Sequence, residues 1–236
     1  MPELDYTFRW PRLVHDRAAP FGTVFRELKR WGMLLLSDAA LPSVATLVAG
    51  EPVRGSWWAH PRSQVIFHVA EQLADHPEVL AAKLINHKVT FLERRLWGAL
   101  FAVGASCESW QMAGLSPAAR SLFRVVGDRG MVRLDSLAEE KRVLVRALGN
   151  ASRELENRLL VFSESVHTQR GSHAKQLESW GHLARRRELG DSAVSTRPAQ
   201  EMLNRAASAL EEHFHVPAVL PWAPPPQTLA KRAGQR

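Results

Sequence analysis

Apolar residues recur every three or four positions in several stretches of the chain, which is the spacing of one face of an α-helix. This pattern predicts helices over residues 21–36, 62–75, 96–103 and 201–214. A shorter helix is predicted to begin at Leu41-Pro42-Ser43 and to end near Gly50. Two apolar runs, 79–85 and 89–92, flank the polar residues Asn86-His87-Lys88 and predict a β-hairpin.

The second half of the chain begins with a clear helix-start signal. Ser116 precedes Pro117, and this pair predicts a helix because serine caps exposed amides and proline is tolerated in the first turn. Gly127 and Gly130 bracket the predicted end of that helix. Residues 131–134 then leave room for one short strand.

Helical spacing resumes over residues 136–157, where Gly149-Asn150 predicts a turn between two helices. The apolar run 159–162 and the turn residues 169–172 predict a two-stranded hairpin. The resulting order, helix, strand, helix, helix and hairpin, is typical of a winged helix-turn-helix. Because the first half has a similar order, the predicted fold is a mostly α-helical α+β chain with short β-hairpins, arranged as a tandem winged helix-turn-helix.

Composition shifts along the chain predict its organisation. Proline-rich and polar stretches indicate arms and linkers, whereas the periodic stretches between them indicate packed domains. The predicted parts are an N-terminal arm (1–20), a helical and hairpin domain (21–110), a winged-helix domain (111–189), a linker with a C-terminal helix (190–220), and a flexible tail (221–236).

Composition excludes several classes of protein. The chain is 45% hydrophobic and 23% charged, which is ordinary for a globular protein. No apolar run approaches the ~20 residues that a membrane helix needs, so no membrane association is expected. A single cysteine, Cys107, forms no internal disulfide and offers no thiolate cluster for zinc. These features predict a cytoplasmic protein without a cofactor.

The net charge of +7 is unevenly distributed. Residues 111–190 carry 14 lysines and arginines against 9 acidic side chains, whereas residues 1–110 carry 12 against 11. An excess of positive charge on the predicted winged helix indicates contact with phosphates, although a solvated arginine-rich surface explains it equally well. The residues predicted to bind nucleic acid, duplex DNA first of all, are Arg153, Arg158, Thr168, Arg170 and Lys175.

A second candidate site is the segment Trp57-Trp58-Ala59-His60, which lies in a loop between Gly50 and Pro61. Adjacent aromatic rings stack on bases in single-strand binding proteins, so Trp57, Trp58 and His60 are candidates for a base pocket. Paired tryptophans in a loop more often close the end of a core. The latter interpretation predicts that one of the two rings is largely buried.

Residues 114–134 and 154–168, GLSPAARSLFRVVGDRGMVRL and ELENRLLVFSESVHT, resemble the winged-helix domains of bacterial AlkZ/YcaQ-type DNA-repair proteins. The resemblance covers about a third of the chain and implies a similar architecture in a setting related to nucleic acids. Those glycosylases share a Gln-x-Gln or Gln-x-Asp catalytic motif. No glutamine of this chain has a glutamine or aspartate two positions further on, so the resemblance does not extend to their activity.

Three functional hypotheses follow. The leading one is a non-catalytic winged-helix protein that binds nucleic acid, most simply duplex DNA, in repair or regulation. The alternatives are an enzyme that processes DNA bases on the same platform, and a module that binds another protein, for example through the C-terminal tail. No residue is assigned as catalytic, and no metal ligand set is identified; His167 and His173, on either side of the predicted turn, lack a third ligand.

Overall fold

The computed structural model describes residues 19–167, 173–189 and 195–223. A first unit contains three helices and three strands: α1 (Ala19–Trp31), β1 (Met33–Leu35), α2 (Val44–Ala49), α3 (Ser63–Ala74), β2 (Val79–Lys83) and β3 (Val89–Glu93). Its strands form an antiparallel sheet in the order β1–β3–β2.

A second unit follows two connecting helices, α4 (Trp97–Gly104) and α5 (Ser109–Met112). Its elements are α6 (Pro117–Arg129), β4 (Met131–Arg133), α7 (Leu134–Lys141), α8 (Val145–Asn157), β5 (Phe162–His167) and β6 (His173–Glu178). The strands are antiparallel in the order β4–β6–β5. Helices α9 (Trp180–Arg186) and α10 (Thr196–Phe214) complete the described elements.

Both units have the same element order and the same sheet topology. Leaving aside two short 3-10 helices of the first unit, each runs α-helix, strand, α-helix, α-helix, strand, strand, and in each sheet the last strand lies between the other two. The prediction of an α+β chain with short β-hairpins is confirmed.

The helix starts follow the predicted capping residues. The Ser43 side chain caps α2 by accepting a hydrogen bond from the Thr46 amide, and the Thr46 side chain accepts one from the Ser43 amide. Ser116 likewise accepts from the amide of Ala119 at the start of α6. These local side-chain contacts are why both starts were predictable from sequence.

The predicted helix 21–36 is shorter than expected at its C-terminal end. Gly32 adopts a φ of +78°, which terminates α1, and Met33–Leu35 pairs with β3 instead. All three residues of β1 are buried. A short strand buried on both faces is apolar throughout, so its pattern cannot be distinguished from the continuation of a helix.

The predicted break at Gly149-Asn150 is wrong, because α8 runs continuously through both residues. The chain turns at residues 142–144 instead, where Arg142 is left-handed with a φ of +54°. Glycine costs a helix interior roughly 1 kcal/mol relative to alanine. Burial of Ala151 and Leu155 in the core of the second unit outweighs that cost.

The two units share a central core rather than packing as separate bodies. Helix α10 lies against α4, and buried side chains of both helices join those of β3 and α9 in one cluster, including Leu92, Leu100, Trp180, Leu203 and Leu210. After α10 the chain returns to the first unit. There, Asn86 donates its backbone amide to the Val219 carbonyl at 2.8 Å and its side-chain amide to the Pro217 carbonyl at 3.2 Å.

Some predicted features lie outside the described residues, namely the turn 169–172, the arm up to residue 18 and the tail beyond residue 223. None of the helices in the described part of the chain is long and apolar enough to cross a membrane.

Candidate nucleic-acid interface

Helix α8 presents one buried face and one exposed polar face. Ala151 and Leu155 face the core of the second unit and pack near α6. Arg146, Asn150 and Arg153 follow at intervals of four and three residues, and all three are exposed. Residues at this spacing share one side of a helix, so the three side chains form a stripe along the outer surface of α8.

Among the described residues, no carboxylate forms an ion pair with Arg146 or Arg153, the arginines of this stripe. The same holds for the exposed Arg142 just before α8. Some other arginines of the second unit do form pairs. Arg129, for example, makes two 2.7 Å hydrogen bonds to the Glu140 carboxylate. We call Arg142, Arg146, Asn150 and Arg153 the α8 face.

An apolar segment lies at the end of the α8 face, between α7 and α8. Leu144 is 79% exposed, and its neighbours Val143 and Val145 are 43% and 54% exposed. Leu144 occupies the N-cap position of α8 and provides no capping side chain, a position where serine, threonine, asparagine or aspartate is preferred. Three consecutive exposed aliphatic residues at a helix start do not contribute to the core.

Of the residues predicted to bind nucleic acid, Arg153 lies on the α8 face. Arg158 is directed inward, where it donates to the backbone carbonyl of Gln111 at 3.1 Å and to that of Ala113. These bonds satisfy carbonyls at the C-terminal end of α5. Thr168 and Arg170 lie outside the described residues.

Lys175 takes part in a buried ion cluster beneath α8. Glu156 is 3% exposed, and its carboxylate lies 2.6 Å from Lys175 Nζ on β6 and 2.7 Å from Lys83 Nζ on β2. Ser152 Oγ adds a hydrogen bond of 2.5 Å. Burial acts to raise the pKa of Glu156, but hydrogen bonds from Lys175, Lys83 and Ser152 outweigh it, and the pKa lies below its usual range. The cluster joins the two units and holds α8 from its inner side.

The predicted pocket residues Trp57, Trp58 and His60 lie in the same loop but do not all line the cleft beside it. The two rings stack with centroids 4.0 Å apart; Trp57 is half-buried against the core of the first unit, and Trp58 is 57% exposed. His60 Nε2 lies 3.3 Å from a carboxylate oxygen of Glu51. A nearby cleft of about 530 Å³ is lined by Trp57, Lys83 and Lys88, among other residues, but not by Trp58 or His60.

Replacing Trp57 with alanine is expected to reduce the free energy of unfolding by about 2 kcal/mol, because its half-buried ring contacts the core. The matched change Trp58→Ala is expected to cost under about 1 kcal/mol, since most of that ring is already in water. Chemical denaturation of both variants measures the difference. Equal losses would contradict the packing role assigned to Trp57.

The histidines near the predicted turn are opposite each other in the β-ladder. His167 on β5 pairs in register with His173 on β6, and Ser165 Oγ lies 3.3 Å from His173 Nδ1. In the described part of the chain, no group of three histidine, cysteine or acidic side chains is arranged to hold a metal ion.

Sequence reasoning missed Arg142, Arg146 and Asn150. The signal was present, because Arg146, Asn150 and Arg153 have the spacing of a single helix face. The predicted turn at Gly149-Asn150 separated them into two helices and concealed it. The α8 face is therefore defined by geometry.

Comparison of the chain with protein-family models, with curated proteins and with solved structures found no match.

Proposed function

We propose that the chain is a non-catalytic tandem winged helix-turn-helix protein that binds duplex DNA through the α8 face. In such folds the second helix of the helix-turn-helix enters the major groove, and α8 follows α7 in that position. Arginine pairs with guanine edges and asparagine with adenine edges, so Arg146, Asn150 and Arg153 have suitable chemistry for a groove. In this proposal Arg142, just before α8, contacts the phosphate backbone beside the groove.

The observation that most directly supports this proposal concerns Arg146 and Arg153. Both are exposed on α8 and lack carboxylate partners in the described chain. An uncompensated cation on the surface has free energy to gain from a phosphate, because each contact releases condensed counterions. An arginine that already pairs with a carboxylate, as Arg129 does with Glu140, gains less free energy from a phosphate contact.

The first unit lacks an equivalent face. Its helix α3 corresponds to α8 in element order, but the exposed positions of α3 include Gln64, His68 and Gln72 and no lysine or arginine. The turn between β2 and β3 is covered by the C-terminal segment at Pro217 and Val219. In this proposal the first unit supports the second rather than binding DNA itself.

The exposed aliphatic residues before α8 favour a second candidate function, binding of another protein. Aliphatic side chains as exposed as Leu144 are typical of interaction surfaces when they cluster. DNA binding leads because the cations flanking this segment, Arg142 and Arg146, match the charge of a phosphate backbone. A cytoplasmic location fits the proposal, since the single cysteine is suited to a reducing compartment.

The proposal predicts salt-dependent binding that the double variant Arg146→Ala/Arg153→Ala weakens. Three contacts from Arg142, Arg146 and Arg153, at roughly 0.9 each, give a log–log slope of affinity against salt of about −3 for the wild type. The double variant is expected to flatten the slope by about two. Titration of a labelled duplex at several salt concentrations measures both slopes.

The matched control is Arg197→Ala/Arg205→Ala, which removes the same charge from exposed positions on α10. It is expected to leave the slope within about half a unit of the wild type. An equal effect of both double variants would show that net charge, and not the α8 face, determines binding. Absence of binding to duplex at low salt would reject the proposed function.

A further inference from the structure

The segment Val143-Leu144-Val145 exposes more aliphatic surface than folding explains. Leu144 projects from the N-cap of α8 and is 79% exposed, although a polar residue there would cap the helix. Arg142 and Arg146, close to it in sequence, are exposed and form no ion pair among the described residues, whereas Lys141 pairs with Glu140. An aliphatic tip flanked by two such arginines is complementary to a partner that offers apolar surface just inside a layer of negative charge.

Nucleic acid has this arrangement, because base faces lie behind the phosphates. Proteins that distort DNA insert aliphatic side chains between base steps and anchor the surrounding backbone with cations. In intact duplex, insertion must first separate stacked bases, which offsets the gain from burying a leucine. Where one nucleotide is already unpaired that cost is smaller, so a protruding leucine discriminates between the two kinds of DNA.

A cleft beside this segment provides a place for the displaced base. It lies between α8 and β6, has a volume of about 340 Å³, and is lined mainly by apolar surface. Its lining includes Val145, Arg146, Gly149, His173 and Ala174. Gly149 has no atom of another residue close to where a Cβ would stand, so the cleft is open at this point of the helix.

We propose that the chain recognises duplex DNA containing an unpaired nucleotide, with Leu144 filling the gap in the base stack and the unpaired base entering the cleft between α8 and β6. This inference rests on the proposed function, because the cations of the α8 face hold the flanking backbone. It adds a class of target, a bulged or mismatched duplex, and assigns no chemistry to the displaced base. The interaction is non-covalent recognition, as in proteins that read an extrahelical base.

The test compares three labelled duplexes: intact, with a one-nucleotide bulge, and with the same bulge lacking its base. The wild-type chain is expected to bind the bulged duplex about tenfold more tightly than the intact one. Leu144→Ala is expected to remove most of this preference and to leave affinity for intact duplex unchanged. Gly149→Leu, which fills the cleft from an open position, is expected to make both bulged duplexes bind alike.

Both substitutions are at exposed or half-exposed positions, and circular dichroism melting checks that each variant is folded. Leu144→Met keeps an apolar side chain at this position. It is expected to retain at least half of the wild-type difference in log affinity between bulged and intact duplex. If the wild type binds intact and bulged duplexes equally, the inference is overturned while the proposed function stands. If Leu144→Ala changes no affinity, Leu144 does not contact the DNA and the inference is again overturned. If no duplex binds at low salt, both proposals are rejected.

Discussion

Replacing Trp180 with alanine is expected to lower the free energy of unfolding by about 4 kcal/mol, because the substitution leaves a large cavity in the shared core. The indole is 3% exposed, packs edge-on against Phe101 with centroids 5.4 Å apart, and donates its N–H to the Leu159 carbonyl at 2.6 Å. Its loss removes packing from α4 and leaves the buried Leu159 carbonyl with only a longer hydrogen bond, 3.5 Å from Gln111 Nε2. Chemical denaturation followed by circular dichroism measures the change.

Gly104 on α4 supplies a sharper test of the same contact. A Cβ on Gly104 would overlap the Trp180 indole, so Gly104→Ala alone is expected to cost about 2 kcal/mol through overpacking. In the Trp180→Ala background the added methyl group occupies part of the cavity, and the cost is expected to disappear. Additive losses in the double variant would contradict the packing described for α4 and α9.

Glu156→Ala is expected to cost about 3 kcal/mol, since it leaves Lys83 and Lys175 without the carboxylate that both contact. This value is at the lower end of the range for removing one partner of a buried ion pair, because water still reaches part of both lysine side chains. Thermal and denaturant unfolding at pH 7 measure it. As a matched control, Glu154→Ala removes a carboxylate from the same helix at a half-exposed position and is expected to cost less.

The Glu156 cluster also predicts a pH dependence. The folded-state pKa of Glu156 lies below its usual range, so its contribution to stability is fully present above the unfolded-state pKa. That contribution is lost as the pH falls below about 4.5 and through the folded-state pKa. The stability difference between the wild type and Glu156→Gln is therefore expected to narrow as the pH falls from about 4.5 through the folded-state pKa of Glu156. A difference that stays constant over this interval would contradict the assignment.

Local signals in the sequence were sufficient for much of the fold. Ser43, Ser116 and Gly130 act at positions that depend on neighbours in sequence, and the helices they delimit were predicted within a few residues. The strand Met33–Leu35 was not, because its strand character comes from pairing with β3, more than fifty residues away. The turn predicted at Gly149 was wrong for a related reason, because the packing of α8 decides the conformation of this residue.

The candidate site was less predictable than the fold. A basic residue in the sequence does not reveal which carboxylate or carbonyl will meet it after folding. Lys175 and Arg158 were predicted to bind nucleic acid, and both have partners inside the chain, whereas Arg153 has none among the residues that the structure describes. Their predicted contacts with DNA stay a prediction. Which charged side chains remain available at the surface can be assigned only when the ion pairs and hydrogen bonds formed on folding are known.

The hydrogen bonds between Asn86 and the segment around Val219 have a consequence for synthesis on the ribosome. The two residues are 133 positions apart, so at the usual rates of translation about 7 to 27 seconds separate their emergence. During this interval the first unit can form its own sheet, but α4 lacks the helix that covers it. The nascent chain therefore presents apolar surface to chaperones until α10 arrives, and a truncation before residue 196 would leave that surface exposed permanently.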